Sequence, residues 1–379
     1  MTTLSLLSDL VSVNSVNPSL VPGAPGEAAV AEVAAAALRA AGLDVVTQEA
    51  APGRPNVIGV LEGRKRGPSV MLCGHLDTVG VEGMRDPFTP RVADGRLYAR
   101  GAQDMKGGVA AMIAAAADLA QHWASGRLLV ACVVDEEFTS LGADALVREW
   151  TADAAIVTEP TDLTMAVGHK GFAWLEVITT GRAAHGSRPR EGRDAIVDMA
   201  RVLLALEAKD RELQARAPSE HQGTASLHAS IITGGRELSV YPDKCVLQFE
   251  RRTVSGESDS AVVEEVNAVL GDLKTADDGF RGAARLVTSR PPYRLSPAAP
   301  LPAALARSLA ARGLPSSPGG MSFWTDAAIL AGAGIPSVLF GPGGAGLHSV
   351  EEYVNLADVD VCRDVLADTV RLLTSQMSS

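Results

Sequence analysis

The sequence predicts an α/β protein: a central mixed, mostly parallel sheet flanked by helices, with a smaller inserted α+β piece built from an antiparallel sheet and two helices. Three observations predict it. Short β-rich runs alternate with helical runs through the first 160 or so residues and again after about residue 292. Between about 170 and 291 the texture changes to long strands and two amphipathic helices. The chain has 379 residues, beyond the size at which one core usually keeps growing, so two domains are expected. The boundaries read from this are 1–169 and 292–379 for the α/β body and 170–291 for the insertion.

The elements follow in order. MTTLSLLSDLVSV reads as an amphipathic helix; it lacks a basic leader region and carries Asp9 inside its apolar stretch, unlike a signal peptide. Residues 26–41 are Ala-rich with helical spacing and stop at Gly42, a suitable C-cap. LDVVTQ, NVIGVLEG and SVMLCGHLD read as strands, MKGGVAAMIAAAADLA (105–120) as a helix and LLVACVVDEE (128–137) as a buried strand. DALVREW reads as a helix and AAIVTEP (154–160) as a short strand. The insertion shows a strand in FAWLEVITT, a helix over 194–208, strands in SLHASIITGG and KCVLQFERRTV, a helix over 260–273 and a strand in AARLVTSR. The α/β pattern then resumes with the helix PLPAALARSLAARG, a buried strand in IPSVLFGPG (335–343) and a last helix over about 357–376.

Composition narrows the function. Apolar residues make up 46% of the chain and the formal net charge is -11, with no basic block, which argues against nucleic acid as a partner. No apolar run is long enough to span a bilayer. The four cysteines, Cys73, Cys132, Cys245 and Cys362, are widely spaced and imply no disulfide framework, which suits a reducing compartment and a cytoplasmic location.

The chemistry concentrates in His75, Asp77, Asp104, Glu136, Glu137, Glu159 and His348. Carboxylates and imidazoles are the donors that zinc and similar divalent ions accept. His75, Glu137 and Glu159 each fall where a strand of an α/β sheet would end, which is where such folds bind ligands. In GHLDTVG the i, i+2 spacing lets Asp77 reach the second ring nitrogen of His75. Asp104, in RGAQDMKGG, reads in isolation as a helix N-cap, although its two oxygens could equally bridge two cations. Adjacent Glu136 and Glu137 allow one acid to bind metal while the other moves protons, a combination that suggests metal-assisted hydrolysis. His348 follows a loop rich in glycine (Gly341, Gly343, Gly344, Gly346) that lacks the spacing of a P-loop. In the insertion, His185 sits in an exposed-looking turn, and Arg251 and Arg252 sit on a strand, where a surface salt bridge is the ordinary reading and carboxylate binding the functional one.

The ordered set GHLDTV (74–79), DGRLYARGAQDMKGG (94–108), DEE (135–137), TEP (158–160), AAHGSRP (183–189), SFWTDAA (322–328) and GPGGAGLHSVEEYV (341–354) resembles the M20 family of metallopeptidases and deacylases, and most closely its acetylornithine/succinyl-diaminopimelate deacylase branch. The resemblance implies a catalytic domain holding two Zn2+ ions, with Co2+ or Mn2+ as alternatives, and a lid that mediates dimerisation. It implies that His75 and Glu159 hold one ion, Glu137 and His348 the other, and Asp104 both. Glu136 would be the general base and acid, Asp77 would orient His75, and His185 from a partner subunit would stabilise an oxyanion. Arg252 would bind a substrate carboxylate, with Ser239 and Gly343 as further substrate contacts. Ser239 stands where the family often has Asn, and Met84 where it often has Trp. The implied activity is removal of an acyl group from an N-acyl amino acid. The implied partners are that small molecule or a short peptide, and a second copy of the chain. The alternatives are a dipeptidase or carboxypeptidase, a succinyl-diaminopimelate desuccinylase, or a non-catalytic metal- or ligand-binding protein on the same scaffold.

Overall fold

A computed structural model describes residues 2–376. They divide into two compact units. The first comprises residues 2–168, 295–320 and 325–376; the second comprises His169–Arg294 and Met321–Trp324.

The first unit is built on strand Lys65–His75, in which every residue from Val70 onward is buried. It pairs in parallel with Ser125–Val133 on one side and Ala154–Val157 on the other. Ser337–Leu339 adds a fourth parallel strand beyond Ala154–Val157. Arg54–Glu62, Asp44–Ala51 and Ala166–His169 join antiparallel towards the edges. A sheet covered on both faces needs strands that are apolar throughout, and the four-residue run Ala154–Val157 is buried at every position. Its Ile156 and Val157 side chains, 0% and 1% exposed, contribute about 1.5–3 kcal/mol each. Helix Gly107–Ala120 packs against helix Leu356–Gln376, and helix Ala28–Ala40 packs against Arg54–Glu62. Ala28–Ala40 is followed by Gly42 at φ 89°, as its expected role as a helix stop requires. Gly108 lets its helix lie against the end of a central strand, because a Cβ there would stand 2.0 Å from the Thr158 carbonyl oxygen. The parallel strands all finish at one edge, which gathers the segments that follow them.

The sequence pattern missed a small antiparallel sheet of Gly344–Ala345, Tyr353–Asn355, Arg96–Tyr98 and Arg91–Ala93. Its strands have two or three residues, too short to show a period. Helix Ala327–Gly332 was likewise not read. The strand expected over 335–343 shrinks to Ser337–Leu339. Pro336 and Pro342 lack the N–H a ladder needs, and the chain beyond Leu339 leaves the sheet. Asp104 does not cap the following helix: its backbone is extended (φ -116°, ψ 98°), and Lys106 takes the cap position.

The second unit is an antiparallel sheet in the order Ser226–Gly234, Lys244–Thr253, Gly171–Thr180, Gly282–Arg290. Along Lys244–Thr253 burial alternates residue by residue, so one face carries Leu247 and Phe249 into a core with Val202, Leu206 and Val266. These last three come from helices Ala195–Gln214 and Asp259–Ala276. Asp194 and Ser258 cap the two helices by accepting backbone N–H bonds from Ile196 and Val197, and from Ala261. All four cysteines are buried free thiols; Cys73, Cys132 and Cys362 lie in the first unit and Cys245 in the second. Among the described residues no helix is long and apolar enough to cross a membrane.

Candidate metal centre

His75 ends the central strand and is 1% exposed. Its Nε2 lies 3.2 Å from Asp104 Oδ1 and 3.9 Å from Glu136 Oε2. Its Nδ1 meets the backbone carbonyl of Asp77 at 3.0 Å, whereas the Asp77 carboxylate stays 3.6 Å away. This corrects the expected His75–carboxylate bond. Asp77 Oδ1 accepts the Glu136 N–H at 3.1 Å, and Oδ2 accepts the Glu137 N–H at 3.1 Å and an Asn17 amide N–H at 2.8 Å. Asp77 therefore orients His75 through its main chain and fixes the two glutamates through its side chain. With Nδ1 engaged by the Asp77 carbonyl, Nε2 is the ring nitrogen left to face the acid cluster, and the one that a cation there would take.

His348 completes a second group. Its Nε2 lies 3.3 Å from Asp104 Oδ2 and 3.1 Å from Glu137 Oε2. His348 has φ 57°, a left-handed backbone within the glycine loop, and its side chain is 55% exposed. The donor atoms of His75, Asp104 and Glu159 lie within 4.8 Å of one another, as do those of Asp104, Glu137 and His348. Asp104 belongs to both groups, one oxygen towards each imidazole.

The electrostatics of these donors suit a cation. Burial pushes Glu136 and Glu159 well above the usual carboxylate range, each is raised further by the other acids around it, and buried Asp326 adds to both. Burial and the Asp104 charge push Glu137 up to about 7, against the opposing pull of His348. Burial alone would lower His75, yet Asp104, Glu136, Asp77 and Glu159 lift it well above 6.5. Bonds donated to Asp104 and Glu137 raise His348 to about 10. Burial would raise Asp104, but His348 and His75 together hold it below the usual carboxylate range. Several buried acids thus crowd one place, where divalent charge would relieve several repulsions at once. The oxygen and imidazole donors fit a metal of the zinc type.

A supporting layer escaped the sequence reading. Glu352, 1% exposed, accepts the backbone N–H groups of Gly101 (2.9 Å), Gln103 (2.8 Å) and Asp104 (3.1 Å) and a bond from Arg100 Nη1 (2.7 Å). It therefore sets the backbone that presents Asp104. Asp135 anchors the turn carrying Glu136 and Glu137: it accepts from Thr139 Oγ1 at 2.6 Å, from Arg54 Nη1 at 2.6 Å and from Asn17 at 3.1 Å. Arg54 is in turn paired with buried Glu27. Lys106, fully buried, donates to the Leu10 and Val13 carbonyls at 3.1 and 3.2 Å and ties the Asp104 segment to the end of helix Thr3–Val11. Burial pulls its pKa down to about 7. No local pattern marks these residues, because most of their partners lie far away in the chain.

The remaining expected residues have other surroundings. Gly343 is tightly packed: an added Cβ would meet Asp162 Oδ1 at 2.7 Å and Asp358 Oδ2 at 2.8 Å. In the second unit, His185 Nδ1 shares a 2.8 Å bond with Ser187 Oγ, and the Ser239 carbonyl accepts from the Gly186 N–H at 2.7 Å. Arg251 and Arg252 take opposite faces of their strand. Arg251 is 1% exposed and paired with Glu257 at 2.7 Å, a buried ion pair where a surface one was the ordinary expectation. Arg252 is half-buried and pairs with Glu250 at 2.5 Å.

Residues 71–372 match the model of peptidase family M20/M25/M40. The chain belongs to that family. As an M20 member it is a metal-dependent hydrolase of amide bonds. It is 30% identical to an acetylornithine deacetylase of Myxococcus xanthus, over 96% of this chain and 95% of that one. It is 28% identical to an N-formyl-4-amino-5-aminomethyl-2-methylpyrimidine deformylase of Bacillus subtilis, covering 84% and 83%. The fold matches that of a tripeptidase from Staphylococcus aureus with a TM-score of 0.83 at 22% identity, over 99% of this chain and 98% of that one.

Proposed function

We propose that this M20 hydrolase removes the acyl group from an N-acyl amino acid, using two divalent cations, zinc in the first instance with cobalt or manganese as alternatives. The observation that carries the reading is the sharing of Asp104 between two donor groups, one completed by His75 and Glu159 and the other by Glu137 and His348. Those five residues would hold the pair. Ions so held supply a lowered pKa for coordinated water and polarisation of a carbonyl.

The chain's own residues do the rest. Glu136 stands beside the donors, with its backbone fixed by Asp77 and its pKa raised by burial and neighbouring acids. A carboxylate with a raised pKa takes a proton from the attacking water and can return it to the nitrogen of the departing amine. Asp77 and Glu352 hold this geometry before substrate arrives. The reading extends to His185 as oxyanion donor and Arg252 as holder of the substrate carboxylate, with Ser239 and Gly343 as lesser contacts, and to a homodimer.

The test pairs metal analysis with turnover. Purified protein should bind close to two zinc or cobalt ions and hydrolyse members of a panel of N-acetyl, N-formyl and N-succinyl amino acids and dipeptides. Glu136→Gln should keep its metal content while kcat falls by about 10²–10⁴-fold. Near-normal kcat in that variant, or no metal-dependent turnover on the whole panel, would overturn the reading. His185→Ala should also lose most activity, and mixing it with Glu136→Ala chains should restore part of it if subunits share a site; a mixed preparation with no recovery would rule out sharing.

A further inference from the structure

A cavity of about 650 Å³ opens beside His348, within the same unit as the donor cluster. Its size lies in the range of small-molecule sites. Two segments form most of its wall. The turn Asn14–Pro25 contributes Val16, Val21, Pro22 and Pro25, and the segment just after Asp77 contributes Val79 and Val81. The segments are stitched together: the Asn17 N–H donates to the Thr78 carbonyl at 2.9 Å, and the Thr78 N–H donates to the Ser15 carbonyl at 3.0 Å. They also touch, since a Cβ on Gly80 would meet Val21 Cγ2 at 3.2 Å. Asn17 and Asp77 position Glu136 and Glu137, so the same two segments build both the pocket wall and the catalytic turn.

The charges on this wall offer little to a ligand group of either sign. Arg100 is buried and already neutralised by Glu352 at 2.7 Å. Glu82 is an exposed acid among the lining residues, and an exposed ion pair contributes little because water screens it. Five valine and proline side chains are exposed or half-exposed on the wall, at Val21, Pro22, Pro25, Val79 and Val81. Val21 alone is 39% exposed. Covering apolar surface is favourable in proportion to the area removed from water, so an aliphatic chain seated on this wall gains where a charged end would lose hydration.

We infer that the pocket beside His348 selects substrates carrying an aliphatic group, against isosteres that end in a charge. The inference rests on the N-acyl amino acid reading above and names its substrate class. The aliphatic group could be the amino-acid side chain or the acyl chain, and two arms of one experiment separate these sources.

In the first arm, N-acetylnorleucine is compared with N-acetylornithine, whose side chain has nearly the same length but ends in an ammonium group. In the second arm, N-hexanoylglycine is compared with N-succinylglycine. The zinc-loaded enzyme should favour the aliphatic member of at least one pair by tenfold or more in kcat/KM. Val21→Asp and Val81→Asp, both on surface turns, should each reduce that preference by about tenfold or more, within the range that a pocket contact of this kind supplies. A charged member preferred in both arms, or ratios unmoved in both variants, would overturn the inference while leaving N-acyl hydrolysis standing. Absence of zinc-dependent hydrolysis of all four compounds would sink the underlying reading instead, and the inference with it.

Discussion

Glu352 shows what a single carboxylate can do at a distance from the chemistry. It gathers three backbone N–H groups and a guanidinium, and the last of those N–H groups belongs to Asp104. Glu352→Gln keeps the shape and one acceptor oxygen but offers an N–H where a backbone N–H now points. Groups that support a metal ligand typically govern 10–100-fold in affinity, so zinc affinity should fall by about that factor, read by competition with a chromophoric chelator. Unchanged affinity would show that Asp104 is held by other means. Glu352 could not be picked out in the sequence: in SVEEYV it looks like its exposed neighbour Glu351, and its partner Arg100 lies 252 positions earlier. Asp77 was singled out for the right neighbour but the wrong bond. The i, i+2 geometry of an extended segment brought it to His75, yet the carboxylate found two N–H donors on a turn some 60 residues away. Burial makes unpaired N–H groups costly, and that demand outweighed the imidazole.

At the scale of elements, strand ends were the legible part. Continuous apolar runs followed by a His or Glu place His75, Glu137 and Glu159 beyond parallel strands, because chain direction and side-chain type are both local facts. The short strands that bring Glu352 and His348 to the same place were not legible, since two or three residues carry no periodicity. One element also carries a pH signal. His169 closes strand Ala166–His169 and is fully buried; its ring has one hydrogen bond, between Nδ1 and the Lys170 carbonyl. Burial pulls its pKa down to about 4 despite that bond. An unfolded chain takes up a proton there near pH 6.5, whereas the folded protein refuses it until about pH 4. Stability from this residue is therefore intact above pH 6.5 and lost as pH falls towards 4, by up to roughly 3 kcal/mol. His169→Phe should flatten the urea-unfolding midpoint across that window, followed by the fluorescence of Trp174 and Trp324. A wild-type and variant slope that coincide would contradict the assignment.

At the scale of the whole molecule, a mostly parallel α/β body and an antiparallel sheet with two helices bury side chains on different periods, which is why the fold class shows as a change in sequence texture. Whether a second chain supplies part of the chemistry is decided by the subunit-mixing experiment. The four thiols offer a handle on the units separately. None reaches solvent in the folded protein, and burial lifts the pKa of each, which leaves them poor nucleophiles. An alkylating reagent should thus label the native enzyme only when a unit opens. Mass spectrometry would then resolve the adducts into two clocks, Cys245 timing the smaller unit and Cys73, Cys132 and Cys362 together timing the larger. Prompt labelling of any one of them under native conditions would mean that its burial is not kept in solution.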